Sequence, residues 1–366
     1  MFRVIGMFML ACCAMHVLAQ DNTPHDAMIM TMPGKLVSVG THRLHINCTG
    51  SGMPTVVIDS GLGGFSLEWN NIQASLSESM QVCTYDRAGY GWSDPGPEPR
   101  NTQTIATELH TLLLNAEIPG PYILVGHSFG GYNIRYYASM YPQTVLGMVL
   151  IDASHPEQFE RLPQVEVKPS EVKRKNSWTV SISRPVLPDN YPTQAKQLAF
   201  LLMSSYKSAQ TQAAEWEQFR ASAQQVTHED HLPDVALTVV TRGKRVWPQN
   251  DFGDRSELVW AEMQGELSHL TSHADQIIAN ESGHLVHLDE PQLVIAAIRK
   301  TVQSAEIIEE VRLAKLQMQK KSPLERQMVL VSHQYPVRIN QYYGYLLNGT
   351  QHMATTLRPE TVSWAY

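Results

Sequence analysis

The sequence predicts an α/β fold: a mostly parallel sheet of eight strands, flanked by helices, with a helical cap inserted after strand six. Short apolar runs alternate with helical segments, and runs such as 55–59 and 121–125 are apolar along their length, as strands buried on both faces of a parallel sheet are. One of these runs ends in a Gly-x-Ser-x-Gly turn, Gly126, Ser128 and Gly130, immediately before a helical segment. The alternation stops at Asp152 and resumes near residue 235, and an interval of about eighty residues is too long for an ordinary connection.

Residues 35–39 and 42–48 read as two strands joined through Gly40 and Thr41, a hairpin signal. The third strand, 55–59, runs into Ser60-Gly-Leu-Gly-Gly64, and a helix follows from Trp69 to Leu76. A fourth strand, 81–86, precedes the glycine-rich loop Arg87-Ala-Gly-Tyr-Gly-Trp-Ser-Asp-Pro-Gly-Pro, closed by its prolines. Ile105, Leu109, Leu112 and Leu113 recur at helical spacing and predict a helix over 104–116. Pro119 and Gly120 mark a turn before the fifth strand, 121–125, and the segment 133–140 continues as a helix beyond the serine turn. The sixth strand is 147–152. Residues 153–232 then hold six scattered prolines and a helical stretch from Thr193 to about Gln225, read as a cap; a peripheral decoration is the alternative. Strands at 235–241 and 276–280 and a closing helix at 291–302 complete a core of 33–152 and 233–303. Residues 304–321 read as a charged amphipathic helix and 322–366 as a Tyr-rich segment, so 304–366 is a C-terminal extension with no assigned role.

A chain of 366 residues with 43% hydrophobic content can bury a sizeable core. A net charge of −7, with no basic stripe carrying interleaved aromatics, argues against nucleic acid as a partner. Met1-Phe2-Arg3 followed by an apolar stretch has the pattern of a signal peptide over residues 1–19, cleaved after Ala19. A retained anchor is the alternative, although the stretch is short for a span and contains His16. The expected location is therefore secreted or periplasmic, with no stable membrane span in the mature chain. Cleavage leaves Cys48 and Cys83, an even pair bound for an oxidising compartment, with two buried free thiols as the alternative. The sequons at Asn47, Asn280 and Asn348 bear on the protein only in a host that glycosylates.

A serine held between glycines on a tight strand-to-helix turn is lifted clear of the sheet. Its hydroxyl is a poor nucleophile at neutral pH and needs a general base, a task suited to histidine. Of fifteen histidines, His284 is the best candidate: it follows the last apolar strand in a Ser-Gly-His turn and precedes the closing helix. His287 is the rival and reads as packing at the helix start; His127 reads as a buried neighbour of the serine. His269 and His273 have helical spacing but no third ligand, so no metal site and no cofactor are expected.

Taken in order, Ser60-Gly-Leu-Gly-Gly, Tyr85-Asp-Arg-Ala-Gly-Tyr-Gly-Trp-Ser-Asp, Gly126-His-Ser-Phe-Gly-Gly and Gly283-His-Leu-Val-His-Leu-Asp-Glu-Pro, the sequence resembles the α/β-hydrolase superfamily over roughly 33–303. The resemblance implies a nucleophile at Ser128, a base at His284, and an oxyanion hole from the backbone N–H groups of Leu62 and Phe129, with Gly61, Gly63 and Gly64 allowing close approach. The family commonly keeps its acid after strand seven, but that loop here begins Arg242-Gly-Lys-Arg-Val-Trp, with no acid. Some members keep it after strand six, which favours Asp152; Asp251 and Asp254 are the alternatives, and Asp152 as a mere cap of the inserted segment is another reading. The implied sheet order sets the second strand beside the fourth and so pairs Cys48 with Cys83 in a disulfide. The expected activity is that of a serine hydrolase cleaving a carboxylic ester or related acyl bond of a small molecule. An acyltransferase or peptidase with the same triad, and a non-catalytic hydrolase-fold binding protein, are the alternatives. Serine at the nucleophile position argues against the dehalogenase and epoxide hydrolase chemistries, in which an aspartate attacks.

Overall fold

The structure is a computed structural model, described here for residues 32–163, 187, 191, 193–228 and 232–320. The expected signal peptide, the sequon at Asn348 and the Tyr-rich tail lie outside the described residues. The eight strands are β1 (Lys35–Ser38), β2 (Arg43–Thr49), β3 (Thr55–Asp59), β4 (Val82–Asp86), β5 (Tyr122–His127), β6 (Val145–Ile151), β7 (Ala236–Arg242) and β8 (Ala274–Ala279). They form one sheet in the order β1-β2-β4-β3-β5-β6-β7-β8. β1 pairs with β2 and β2 with β4 in antiparallel fashion, and every later pairing is parallel. In β3, β4, β5 and β7 every residue is buried, which is why these segments read as continuous apolar runs rather than alternating ones.

Helices cover both faces. On one lie α1 (Asn70–Leu76) and α10 (Pro291–Lys320), whose Ile72, Leu76, Val294, Ala297 and Ile298 pack on Val56, Val125 and Val149. On the other lie α2 (Thr102–Asn115) and α3 (Gly130–Met140), which bury Leu109, Leu112, Ile134 and Tyr137 against Leu124, Met148 and Leu150. Asn101 caps α2 by accepting from the Thr104 N–H at 3.0 Å.

The insertion between β6 and β7 carries α4 (Gln158–Arg161), α5 (Thr193–Met203), α6 (Tyr206–Glu217) and α7 (Phe219–His228). The single helical stretch predicted there is thus divided, with Ser205 restarting it as an N-cap that accepts from the Ser208 N–H. Ala195, Ala199 and Met203 of α5 pack on Phe65, Leu67 and Tyr90, so the insertion rests on loops that follow β3 and β4.

Two further elements differ from expectation. α10 runs without a break for 30 residues where two helices were expected, because no Gly or Pro interrupts it and each added residue contributes a hydrogen bond. α8 (Asp251–Leu267) was not anticipated: Asn250 caps it, Asp251 and Asp254 occupy its first turn and oppose the positive end of its dipole, and two internal glycines weakened its pattern. The remaining helix, α9 (Val286–Asp289), precedes α10. Cys48 and Cys83 are register partners across β2 and β4 and form a disulfide. No helix among the described residues is long and apolar enough to cross a membrane.

Candidate active site

Ser128 sits between β5 and α3 with φ of +50°, a left-handed conformation that a non-glycine residue adopts at a cost. The neighbouring glycines are dictated by space. A Cβ on Gly126 would lie 2.6 Å from the Gly130 carbonyl oxygen, and one on Gly130 would meet the Asp59 carbonyl. The turn is braced by its backbone: the Ser128 N–H donates to the Ile151 carbonyl at 3.1 Å, and the Ser128 carbonyl accepts from the N–H of Gly131 and of Ser154, both at 3.0 Å.

His284 reaches this turn from the loop between β8 and α9. Its Nε2 lies 3.0 Å from Ser128 Oγ and its Nδ1 lies 2.6 Å from Asp152 Oδ2. The imidazole is 40% exposed, so the site is open to solvent on that side, whereas the Asp152 carboxylate is fully buried. Asp152 follows β6 with φ of +38°, a second left-handed residue next to the first turn. Its carboxylate also accepts from Trp260 Nε1 at 2.8 Å and from Arg242 Nη1 at 2.9 Å. Burial works to raise its pKa, but the hydrogen bond and charge of His284, the Arg242 guanidinium and Trp260 outweigh it and hold the carboxyl below the usual range. An ionised acid on Nδ1 fixes the tautomer in which Nε2 accepts a proton from a hydroxyl.

Asp251 and Asp254 are elsewhere, exposed in the first turn of α8, where Asp254 pairs with Arg245 at 2.6 Å. His127 is buried, and its Nε2–H donates to the His284 carbonyl at 2.9 Å. Burial first, and the neighbouring histidines second, push its pKa well below 6.5, so it is a neutral support for the loop carrying His284. His287 does not face Ser128. It stacks on Trp69 at 4.3 Å, with Glu68 3.7 Å away. Burial lowers His287 to about 3 and raises Glu68 to about 8, which makes this a contact between two neutral groups near pH 7 rather than an ion pair.

The loop 60–64 closes the site from the β3 side. A Cβ on Gly61 would lie 2.7 Å from His127 Nδ1 and 3.2 Å from Ser128 Cβ, so only glycine lets the loop pass. The N–H groups of Leu62 and Phe129 have no hydrogen-bond partner among the described residues. His269 and His273 lie in the turn before β8 rather than on one helix. His155, Glu157 and Glu266 bring three ligand atoms within 4.8 Å of one another. Arg161 already bridges both carboxylates, at 3.3 Å from Glu157 and 2.6 Å from Glu266, and answers the charge a cation would.

Sequence reasoning missed Arg242 and Trp260 as partners of the acid. The signal is the arginine that stands after β7 in place of an acid: a cation at the end of β7 beside an anion at the end of the adjoining β6.

A family model described as alpha/beta hydrolase fold matches residues 54–193. The solved structure of a thermophilic esterase from Thermogutta terrifontis superposes with a TM-score of 0.53 at 18% identity, covering 75% of this chain and 99% of that one. The chain has the α/β-hydrolase fold. A haloalkane dehalogenase variant from Bradyrhizobium elkanii shares the hydrolase fold as well, with a TM-score of 0.57 at 15% identity over 76% of this chain and 98% of that one. Likenesses at such identities establish the α/β-hydrolase fold and not the reaction. Among curated relatives, the uncharacterized protein YqjL of Bacillus subtilis (strain 168) is 26% identical over 251 residues, 68% of this chain and 83% of its own length. A relative from Hormonema carpetanum is 35% identical over 136 residues, but this chain spans only 20% of its length.

Proposed function

We propose that this α/β-hydrolase is a serine hydrolase that cleaves a carboxylic ester or related acyl bond of a small molecule through an acyl-enzyme. The observation that carries the reading is the chain of contacts from Ser128 Oγ to His284 at 3.0 Å and from His284 to Asp152 at 2.6 Å. His284 Nε2 takes the hydroxyl proton as Ser128 Oγ bonds to the carbonyl carbon. The oxyanion is met by the N–H groups of Leu62 and Phe129, free for that purpose, each worth a few kcal/mol in such a role. The imidazolium, held by Asp152, returns the proton to the leaving oxygen, and the C–O bond breaks to leave the acyl-enzyme. Water, deprotonated by the same histidine, then releases the acid and restores Ser128. The insertion 153–232 serves as the cap that selects the acyl and leaving groups. The N-terminal signal pattern and the Cys48–Cys83 disulfide support export to an oxidising compartment.

Covalent labelling with a fluorophosphonate tests the reading. The expected result is stoichiometric labelling of the wild-type protein at Ser128, with labelling and p-nitrophenyl ester turnover both lost in Ser128→Ala. An unlabelled wild type, or a Ser128→Ala variant that labels and turns over normally, rejects it.

A further inference from the structure

Arg87 follows β4, is buried, and joins three parts of the molecule. An arginine offers five N–H donors in a rigid plane, and here each finds an oxygen. Nε donates to Glu215 Oε1 at 2.8 Å and Nη2 to Glu215 Oε2 at 3.0 Å. Nη1 donates to Asp59 Oδ1 at 2.8 Å and to the Ser60 carbonyl at 2.6 Å, and Nη2 also donates to the Gly61 carbonyl at 2.8 Å. Glu215, buried on α6 of the insertion, accepts further from the Tyr90 hydroxyl at 2.9 Å; Asp59, at the end of β3, accepts from the Tyr85 hydroxyl at 2.7 Å. A guanidinium saturated in this way has one orientation.

Peptide geometry carries that orientation into the site. The Gly61–Leu62 peptide is trans, so its C=O and N–H point in opposite directions within one plane. With the Gly61 carbonyl drawn to Arg87, the Leu62 N–H is turned to the other side, and Gly61 itself is packed against Ser128. We propose that Arg87 is a positioning residue that aims the Leu62 N–H at the oxyanion of the Ser128 reaction, and that Glu215 ties this aim to the seating of α6. The inference rests on the serine-hydrolase reading. It makes the insertion part of the oxyanion hole's support rather than a separate lid: α6 must be docked for Arg87 to hold both carboxylates and both carbonyls.

The charge count selects the variants. Arg87 is one cation between two buried carboxylates, so Arg87→Ala would leave both unanswered and threaten the fold. Arg87→Lys keeps the charge but loses the fork, and Glu215→Gln keeps the shape but loses the charge. Lys207→Met is the control, because Lys207 ties the same helix elsewhere, donating to the carbonyls of Gly91 at 2.8 Å and Ser93 at 2.7 Å. Turnover of p-nitrophenyl acetate is measured per fluorophosphonate-titrated site, alongside the thermal midpoint of each variant. Arg87→Lys and Glu215→Gln are expected to lower kcat by about 10- to 100-fold with KM little changed, since a misaimed oxyanion donor weakens only the transition state. Lys207→Met is expected to lower the midpoint and leave kcat alone. Should Arg87→Lys fail to fold, Glu215→Gln decides. Wild-type kcat per titrated site in the folded variants would overturn the positioning role, a purely structural part moving the midpoint only. A wild type that does not label at Ser128 overturns the serine-hydrolase reading and this inference with it, so the two failures are told apart by the first measurement.

Discussion

Asp152 has a backbone conformation that few residues accept, no exposure, and three side-chain donors converging on it. Each donor stabilises the ionised form, and only that form keeps His284 in the tautomer that accepts from Ser128. Asp152→Asn keeps the size and most of the packing but presents an amide to Nδ1, so kcat is expected to fall by about 10³- to 10⁴-fold with KM nearly unchanged. Asp251→Asn and Asp254→Asn, altered on the surface of α8, are expected to retain wild-type turnover on the same p-nitrophenyl ester; a near-normal Asp152→Asn rejects the assignment. Much of this neighbourhood was legible as residue types. Ser128 and the glycines around it announce a crowded turn, and the sterics of Gly126, Gly130 and Gly61 show why. What could not be read was which donors surround the acid, because Arg242 and Trp260 reach it from β7 and α8, 90 and 108 positions away along the chain.

Among the elements, the buried strands were the most legible, since burial on both faces leaves a composition signal that needs no knowledge of neighbours. α8 was not, because Gly253 and Gly265 dilute its helical pattern, and its start depends on the Asn250 cap. A charge pair inside the sheet was equally hidden: His45 of β2 lies opposite Asp86 of β4, with Nδ1 2.8 Å from Oδ2 and both side chains fully buried. Burial works against the charge on His45, but the hydrogen bond and charge of Asp86, helped by the Pro33 carbonyl, raise its pKa above 6.5. Burial likewise works to raise Asp86, but His45 and the N–H groups of Ser66 and Trp92 hold it below 3.8. The native state therefore keeps the His45 proton at pH values where the unfolded chain has lost it. The stabilisation is full below the unfolded value of about 6.5 and is lost as pH rises through the folded one. The Asp86 share is present above its unfolded value and is lost as pH falls through its folded one. Urea unfolding at a series of pH values is expected to show the wild type losing stability above about pH 6.5 relative to His45→Gln. A constant difference between the two proteins across that range rejects the charged pair.

The molecule as a whole is one sheet in which β2 runs against its neighbours β1 and β4, and the disulfide stitches that reversed strand to the parallel centre. Cys48 and Cys83 are 35 positions apart, so the cross-link removes chain entropy from the unfolded state worth about 3–4 kcal/mol. The Cys48→Ser, Cys83→Ser double variant is expected to lose stability of that order in urea, and reductant is expected to shift the wild-type midpoint while leaving the double variant unmoved. Position in the sheet also governs what heat does to function. The turn bearing Ser128 and the turn bearing Asp152 hang on each other: Ser128 donates to Ile151, Ser154 donates back to Ser128, and Asp152 donates to Val240 of β7. Both are extensions of central strands rather than free loops. Warming is therefore expected to leave Ser128 and Asp152 at their mutual positions until the sheet itself comes apart.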